Sequence, residues 1–304
     1  MRLSPGPAVP WTVLGVPIDS VAAPTGGDAF GTELAPAALR THRLVERLGA
    51  VDRGDLDVRV VGPDRDPGSG IVGWPSLAGV TRTLRSAVRQ LCADGGRPLL
   101  LGGCCALLPG ALAGARDALG PVGLAYADGH VDVYDHRTSP TGEAADMPVA
   151  ALLGVGWPGW LETIEPLPVL DGRHVVVLGA RDQQEAADIA DLPAELGLTV
   201  MGPDDIRRGP GAAGTSTATR LGAAPGRWWL HLDLDVLDEA AFPATDYLMP
   251  GGLELGELRD LLAPLGRGAG VVGASVACYN PTKDPDGSCG LALTQLLVDV
   301  LGPA

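Results

Sequence analysis

The sequence predicts a three-layer α/β/α fold, in which helices cover both faces of a mainly parallel, doubly wound sheet of about eight strands. Short apolar runs rich in Val and Leu recur along the chain, and helical patterns separate several of them. The runs do not alternate strictly between apolar and polar residues, which indicates strands buried on both faces of a parallel sheet. The candidate strands are Trp11–Pro17, Asp57–Val61, Pro98–Gly102, Pro121–Ala127, His174–Ala180, Leu198–Met201, Arg227–Leu234 and Gly270–Ala277.

Apolar residues at helical spacing lie between several of these strands. The candidate helices are Pro36–Leu48, Ser76–Ala93, Leu107–Ala118, Gln184–Leu196 and Leu255–Leu265. The stretches 62–75 and 209–226, which are rich in Pro, Gly and Ser, are interpreted as surface loops. No internal repeat or linker divides the chain, so we expect a single domain over residues 1–304.

Composition and charge exclude several classes of partner. A hydrophobic content of 46% over 304 residues is enough for a large core, which excludes a disordered chain. The formal net charge of −15 repels nucleic acid and anionic membranes, so we expect neither as a partner. The same charge is compatible with a small cationic substrate.

Cysteine usage and the amino-terminal residues indicate the compartment. The five cysteines show no paired zinc-ribbon spacing, and a chain of this size needs no disulfide framework. The amino-terminal residues contain no apolar run of the kind found in signal peptides. No stretch approaches the roughly 18 apolar residues of a membrane helix. We therefore expect a cytoplasmic protein with reduced thiols.

A first polar segment follows the candidate strand Pro121–Ala127 and contains Asp128, His130 and Asp132 in the pattern D-x-H-x-D. Alternate residues of an extended segment share a face, so the three side chains can point the same way. The carboxyl ends of parallel strands are where α/β proteins place their active sites. A single aspartate after a strand is often only a turn or helix-capping residue, and this segment alone does not decide between the two interpretations.

A second segment, in which His231, Asp233 and Asp235 form the pattern H-x-D-x-D, ends the strand that begins at Arg227. Carboxylates that converge from two strand ends repel one another and resist ionisation unless a counter-charge is present. One or two divalent cations supply that charge, and a ligand set of carboxylates and imidazole suits Mn²⁺, Fe²⁺, Ni²⁺ or Zn²⁺. The two segments together predict a metal centre.

The order D-x-H-x-D and then D-x-D-x-x-D resembles the ureohydrolase family, which contains arginase, agmatinase and formimidoylglutamase. The resemblance runs along nearly the whole chain. Its other parts are the glycine-rich segment 25–36, Leu101–Cys105 where the family has G-G-D-H, Phe242–Thr245, Gly251–Leu253 and Asn280-Pro281. It implies the three-layer fold predicted above, a small-molecule substrate and a homo-oligomer.

The resemblance also implies two metal sites, by position in the motifs. One site would be formed by Asp128, His130, Asp233 and Asp235. The other would be formed by Cys105, Asp128, Asp132 and Asp233, with a thiol in place of an imidazole. Mn²⁺ is the ion that the family implies, whereas a thiolate favours a softer ion such as Fe²⁺ or Zn²⁺, and Ni²⁺ is also compatible. The alternative is that Cys105 is simply a small buried residue and that only one ion binds.

The substrate-binding positions differ from those of arginase. The positions that the resemblance assigns to binding an amino-acid carboxylate are Tyr134, Thr141 and Glu143. An anionic Glu143 would repel that carboxylate. The proton-relay histidine, the guanidinium-binding glutamate and the aspartate for the α-amino group become Ala145, Cys278 and Gln184. Ordinary L-arginine is therefore not the expected substrate.

Other polar residues are candidates to replace these contacts. Glu143 and Asp146 lie on a loop that should overhang the metal, and Thr245 and Asp246 lie on the loop after the second metal segment. We expect these residues, with Tyr134, Thr141 and Cys278, to contact the substrate. The alternative for each carboxylate is a solvated loop residue. His231 and His136 are candidate proton carriers, although a buried histidine bonded to the backbone is an equal alternative for His231.

The predicted reaction is hydrolysis of a C–N bond in a guanidine, N-hydroxyguanidine or amidine by metal-bound hydroxide. Asp132 would orient the nucleophile and pass its proton to the leaving amine, and Glu143 and His231 would assist. One alternative is a deacetylase-like amide hydrolase with a single metal on Asp128, His130 and Asp233 or Asp235. Another is a metal-binding relative without catalytic activity.

Overall fold

The computed structural model describes residues 9–19, 31–62, 64–182 and 189–303. Its centre is an eight-stranded sheet with the order β2-β1-β3-β8-β7-β4-β5-β6, in which every neighbouring pair is parallel. The strands are β1 Trp11–Val16, β2 Val51–Asp55, β3 Arg97–Gly102, β4 Gly123–Ala127, β5 Val175–Leu178, β6 Thr199–Met201, β7 Trp228–Asp233 and β8 Val271–Ala277. The predicted doubly wound α/β sheet is confirmed.

Helices cover both faces of the sheet. They are α1 Ala35–Thr41, α2 Leu44–Leu48, α3 Ser76–Ala93, α4 Leu108–Leu119, α5 Pro148–Leu152, α6 Pro158–Leu161, α7 Leu192–Glu195, α8 Pro203–Arg207, α9 Pro210–Ala223, α10 Leu255–Gly266 and α11 Ser288–Leu301. One buried apolar cluster joins α3 and α4 to one face, and a second joins α1, α10 and α11 to the other. Successive residues of a strand enter different clusters, as Leu99 and Leu100 of β3 do. The central strands are therefore mainly apolar, with His231 and Asp233 of β7 among the exceptions.

Three predicted elements differ from the structure. The edge strand is Val51–Asp55, whose residues are all exposed, and Asp57–Val61 forms no strand. Because an edge strand has one neighbour and needs no apolar face, the apolar pattern pointed to the wrong segment. The predicted helix Pro36–Leu48 is divided into α1 and α2 at Arg43, whose φ is 61°. Of the predicted helix Gln184–Leu196, the described part contains α7, and residues 183–188 lie outside the described residues.

The stretch 209–226 was predicted to be a loop and instead contains helix α9. Pro210 occupies the first turn, where its missing N–H is tolerated, and small residues fill the middle of the helix. These small residues let α9 lie close to α10, where Gly214 faces the main chain of Leu261. The glycines that suggested a loop are therefore packing residues. The carboxy-terminal helix α11 was not predicted either.

The strand order brings the polar segments together. In the parallel register Ala127 of β4 lies beside Leu232 of β7, and Asp233 lies beside Ala277 of β8. The residues that follow these strands leave the same edge of the sheet. Among the described residues, no helix combines the length and apolarity needed to cross a membrane.

Replacing Gly214 with alanine should destabilise the protein, because a Cβ there would lie 2.0 Å from the carbonyl oxygen of Leu261. We expect the free energy of unfolding in urea to fall by about 1–3 kcal/mol. Gly222→Ala in the same helix is the control, since its Cβ would meet nothing closer than 3.9 Å. That variant should be neutral or stabilised by up to about 1 kcal/mol. Equal effects of the two variants would contradict the close packing of α9 on α10.

Candidate metal centre

Two groups of metal-ligating atoms lie at the carboxyl ends of β4 and β7. We call them the thiol cluster, formed by Cys105, Asp128, His231 and Asp233, and the His130 cluster, formed by Asp128, His130 and Asp132. Within each cluster the ligand atoms all lie within 4.8 Å of one another. Asp128 belongs to both clusters, so the two are adjacent. The segments that the sequence singled out thus converge on one place.

The His130 cluster is held by main-chain donors. The His130 N–H donates to Asp128 Oδ1 at 2.7 Å, and the Gly129 N–H donates to Asp235 Oδ1 at 2.9 Å. These bonds leave the His130 ring nitrogen Nδ1 3.1 Å from Asp235 Oδ2 and 3.5 Å from Asp128 Oδ1. Asp128, His130 and Asp235 are therefore positioned to share one ion.

The sequence predicts that Asp128, His130 and Asp132 lie close together because their segment is extended. The segment is not extended. The chain bends at Gly129 and His130, and Asp132 has a left-handed φ of 55°. The side chain of Asp132 then accepts a hydrogen bond from the Tyr126 hydroxyl. Likewise, β7 ends at Asp233, and Asp235 reaches the cluster through a 3-10 turn.

The thiol cluster lies deeper, between β3, β7 and β4. Cys105 Sγ is 2.7 Å from Asp233 Oδ2, 3.2 Å from His231 Nε2 and 3.8 Å from Asp128 Oδ2. All four residues are buried, and His231 has no exposed surface. Cys278, which follows β8, also contacts the Cys105 thiol.

Burial makes negative charge costly at these positions. Burial, followed by the repulsion of Asp235, raises the pKa of the Asp128 carboxyl to about 7. Burial also raises the pKa of Asp132 and of Asp233 well above the usual range. Burial raises the pKa of Asp235 as well, but the attraction of His130 and the Gly129 N–H outweigh it, and the net pKa is lowered.

The two histidines differ in charge. Burial lowers the pKa of His130, but the neighbouring Asp235 and Asp128 outweigh it and raise that pKa well above its ordinary value. Burial lowers the pKa of His231 to about 3, so its imidazole is neutral. Protonated His130 is thus the main positive charge on the carboxylates. A metal ion bound to His130 would displace the proton on its ring, because a ligating imidazole must be neutral.

The donor set fits divalent cations. Clustered buried carboxylates with raised pKa values require a positive charge that the neighbouring side chains do not fully supply. The nearest arginine, Arg181, donates through Nη2 to the carbonyl oxygens of Asp235 at 2.7 Å and Met249 at 3.0 Å, and through Nε to that of Pro250 at 3.2 Å. Its hydrogen bonds therefore hold main-chain oxygens rather than carboxylates. The structure favours the metal-binding interpretation over isolated turn aspartates.

A cavity of about 220 Å³ opens beside the clusters. Predicted substrate residues that line it are Tyr134, Thr141, Glu143, Asp146, Asp246 and Cys278. Thr245 is not among the described lining residues, and its hydroxyl is buried without a hydrogen-bond partner. His136 contacts the ring of Trp157, with 5.4 Å between centroids, and does not line the cavity. The hypothesis that His136 carries protons to the substrate stays a prediction, and this position gives it no direct support.

The loop carboxylates over the cavity are held in place rather than solvated. Glu143 is only 4% exposed and accepts a hydrogen bond from the Tyr247 hydroxyl. Asp146 Oδ2 accepts hydrogen bonds from Ser139 at 2.7 Å and Thr141 at 3.1 Å. Burial raises the pKa of Asp146 to about 7. The alternative of solvated loop residues does not hold for these two.

Asp246 is neutralised by the protein itself. Its Oδ1 lies 2.7 Å from the Lys283 ammonium and accepts a hydrogen bond from the Asn280 side chain at 2.8 Å. Its Oδ2 is buried and has no hydrogen-bond partner. Asp246 is thus a weaker candidate for pairing with a cationic substrate than Glu143.

Sequence reasoning missed three residues of the site. Asp182 lines the cavity and accepts a hydrogen bond from the Val131 N–H at 3.2 Å. Its position just after β5 is the same strand-end signal that identified Asp128. Tyr126 and Tyr247 carry no such signal, because their roles depend on side-chain contacts with Asp132 and Glu143 that the sequence pattern does not show.

Comparison with known proteins agrees with this geometry. The sequence model of the arginase family matches residues 9–302. Arginase from Bacillus caldovelox is 27% identical over 300 residues, which cover 96% of this chain and 98% of the relative. Its structure matches with a TM-score of 0.87 over 97% of this chain and 99% of that chain.

Two further structures from Bacillus subtilis are similar. Its arginase is 27% identical, with a TM-score of 0.82 over 97% of this chain and 99% of that chain. Its formimidoylglutamase is 18% identical, with a TM-score of 0.76 over 99% of this chain and 89% of that chain, a likeness of fold alone. The chain belongs to the arginase family, and the prediction of a C–N hydrolase of that family is confirmed.

Replacing Asp128 with asparagine should have opposite effects on the metal-free and the metal-loaded protein. Without metal, the variant loses a repelling buried charge, so its melting temperature should stay level or rise. With Mn²⁺ or Zn²⁺, affinity measured by calorimetry should fall more than about 10-fold, and the stabilisation by metal should shrink. Asp57→Asn, at an exposed position outside the site, is the control. Unchanged metal affinity would contradict the assignment of Asp128 as a ligand.

Proposed function

We propose that this arginase-family hydrolase uses one or two divalent cations to cleave a C–N bond of a small cationic guanidine, N-hydroxyguanidine or amidine. The observation that carries the proposal is the charge of the cavity beside the clusters. The acidic residues that line it are Asp128, Asp132, Glu143, Asp146, Asp182, Asp233, Asp235 and Asp246. No lysine or arginine occurs among the described lining residues. A cationic head would be bound there and an anion excluded.

The metal ligands proposed for the site at the His130 cluster are Asp128, His130, Asp233 and Asp235. Divalent cations bound at the centre supply a nucleophilic water at neutral pH and polarise the carbon under attack. The ion is proposed to be Mn²⁺ by family, with Fe²⁺, Ni²⁺ and Zn²⁺ as alternatives because of Cys105.

Asp132 is the proposed proton carrier. It lines the cavity, and the hydrogen bond from Tyr126 fixes one of its carboxylate oxygens. Its raised pKa suits a group that takes up a proton and then passes it to a leaving amine. His231 is not suited to this role, because it is fully buried and does not appear among the described lining residues. His231 is therefore a weaker candidate than Asp132 for carrying protons to the substrate.

Glu143 is the proposed specificity residue. It lines the cavity, and Tyr247, which holds it, packs edge to face on the ring of His130 with 5.9 Å between centroids. A cationic group bound next to the metal centre would therefore lie close to the Glu143 carboxylate. An α-carboxylate in the same place would meet a like charge with little solvent to screen it.

L-Arginine is the second candidate substrate. It is favoured by the arginases from Bacillus caldovelox and Bacillus subtilis, each 27% identical over 96% of this chain. Its guanidinium fits the acidic cavity, whereas its carboxylate does not fit beside Glu143. The two candidates therefore differ in one measurable property, the effect of a carboxylate on the substrate.

A cytoplasmic location and a homo-oligomeric state are part of the proposal. All five cysteines are free thiols, which is compatible with a reducing compartment. The oligomer is inferred from the family alone, and sedimentation of the purified protein would measure it.

A substrate screen tests the proposed reaction. The protein, loaded in turn with Mn²⁺, Fe²⁺, Ni²⁺ and Zn²⁺, would be assayed for release of urea, ammonia or amine. The panel would contain guanidines, N-hydroxyguanidines, formimino compounds, L-arginine and acylated amines. We expect kcat/KM for a substrate without a carboxylate to exceed that for L-arginine by at least about 10-fold, or about 1.4 kcal/mol.

Other outcomes of the screen would contradict the proposal. Turnover of acylated amines alone would indicate a deacetylase-like amide hydrolase. No turnover of any compound by protein with tightly bound metal would indicate a non-catalytic relative. L-Arginine as the best substrate would show that the inference from Glu143 is wrong and leave the reaction class intact.

Glu143→Gln should change specificity in a defined direction, since the amide oxygen still accepts the Tyr247 hydrogen bond while the charge is lost. We expect KM for the cationic substrate to rise about 30-fold, or about 2 kcal/mol, with a smaller change in kcat. Activity on L-arginine relative to that substrate should increase. Glu239→Gln, at an exposed position, is the control. An equal loss on both substrates would indicate a structural role.

A further inference from the structure

The geometry points to a buried metal site formed by Cys105, His231, Asp128 and Asp233, in which thiolate and imidazole select a softer ion than Mn²⁺. His231 is then a metal ligand and not a proton carrier. This site shares with the proposed function the presence of a cation at the centre and the ligands Asp128 and Asp233. The new assignment concerns which side chains bind that ion, and it can hold whatever the substrate is.

The four donor atoms come from the ends of β7, its neighbour β4, and β3, which lies on the other side of β8. Cys105 begins a 3-10 turn after β3, Asp128 follows β4, and His231 and Asp233 are alternate residues of β7. Alternate residues of a strand share a face, so the β7 pair points to the same side of the sheet. Every one of the four is at most 2% exposed. The site is thus fixed by the sheet and buried at the base of the cavity, which Cys105, Asp128 and Asp233 line.

The donor atoms lie close enough together to bind one ion. With zinc–sulfur and zinc–nitrogen distances of about 2.3 and 2.0 Å, the two donors lie about 3.5 Å apart. The observed distance between Cys105 Sγ and His231 Nε2 is 3.2 Å. Sγ lies 2.7 Å from Asp233 Oδ2 and 3.8 Å from Asp128 Oδ2, so both carboxylates would be within reach of an ion bound to the thiolate.

The imidazole of His231 is oriented for binding a metal through Nε2. Its Nδ1 lies 2.7 Å from the Ser275 hydroxyl oxygen, which also accepts a hydrogen bond from the Trp229 indole at 2.9 Å. A hydroxyl oxygen has two lone pairs and can accept from both donors. The proton of His231 then lies on Nδ1, and the Nε2 lone pair faces Cys105. Metal-binding histidines are commonly held in this way by a partner on the other nitrogen.

A stacked aromatic ring also fixes the orientation of the His231 imidazole. Tyr126 stacks on His231 with 5.0 Å between centroids and 11° between planes. The hydroxyl of Tyr126 donates to Asp132, which keeps Asp132 on the side of the His130 cluster. The ligand set of the buried site is therefore His231 and Cys105 with two carboxylates, rather than Cys105 with Asp132 as the resemblance implied.

The two sites should prefer different ions. The site at the His130 cluster offers carboxylates and one imidazole, a set compatible with Mn²⁺. The buried site adds a thiolate, which favours Zn²⁺, Fe²⁺ or Co²⁺ over Mn²⁺. Binding an ion there releases the thiol proton and supplies the counter-charge for the thiolate and two carboxylates.

Cobalt titration of the metal-free full-length protein tests this assignment. Thiolate bound to Co²⁺ gives a charge-transfer absorption in the near ultraviolet, which oxygen and nitrogen ligands do not give. We expect this band in the wild type and in Cys289→Ser, a control at a half-buried thiol of α11 outside the clusters. The band should be lost in Cys105→Ser. His231→Asn should retain it but bind Co²⁺ at least about 10-fold more weakly.

X-ray absorption of the zinc-loaded wild type provides a test that needs no variant, in case substitution at a buried residue prevents folding. We expect a sulfur neighbour at about 2.3 Å from zinc. Zinc bound without sulfur, or a cobalt band that persists in Cys105→Ser, would overturn the assignment. Unaltered cobalt affinity in His231→Asn would remove His231 from the ligand set.

These outcomes are distinguishable from failure of the proposed function. Sulfur ligation without turnover of any guanidine or amidine would leave the buried site standing and refute the reaction. Turnover without sulfur ligation would support the reaction and refute the buried site.

Discussion

The repulsion among buried carboxylates at the ends of β4 and β7 is the constraint on which the site depends. The sheet order places these strands side by side, so that Asp128 and Asp233 leave the same edge. Main-chain N–H groups of Gly129 and His130 fix the oxygens of Asp235 and Asp128 but do not neutralise them. A fold that keeps such charges out of water needs cations in return, and this requirement explains both clusters and the acidity of the cavity.

The predicted fold was correct where burial dictates sequence. Central strands such as β3 and β8 are mainly apolar because both faces lie against helices, and that pattern is readable in a single sequence. It fails at β2, where an exposed edge strand needs no apolar face, and in α9, where Gly214 serves helix contact rather than a turn. Contacts between elements that are distant in sequence decided both of these.

The candidate site was also predictable only in part. Strand-end aspartates such as Asp128 and Asp233 are readable, because topology fixes where strand ends meet. The orientation of His231 is not, because Ser275 holds its ring from a strand 44 residues away in sequence. The sequence therefore indicated which residues converge but not which atom of each faces the ion. That distinction changes His231 from a proton carrier into a proposed ligand.

Arg181 links this centre to the loop that contains Met249 and Pro250. The same guanidinium holds the carbonyl oxygens of Asp235, Met249 and Pro250, so the turn that presents a metal ligand and the loop beyond it share one set of hydrogen bonds. Free energy gained by ordering one is therefore available to the other. The Asp235 turn and the loop at Met249 and Pro250 thus form one connected unit, held by a single side chain.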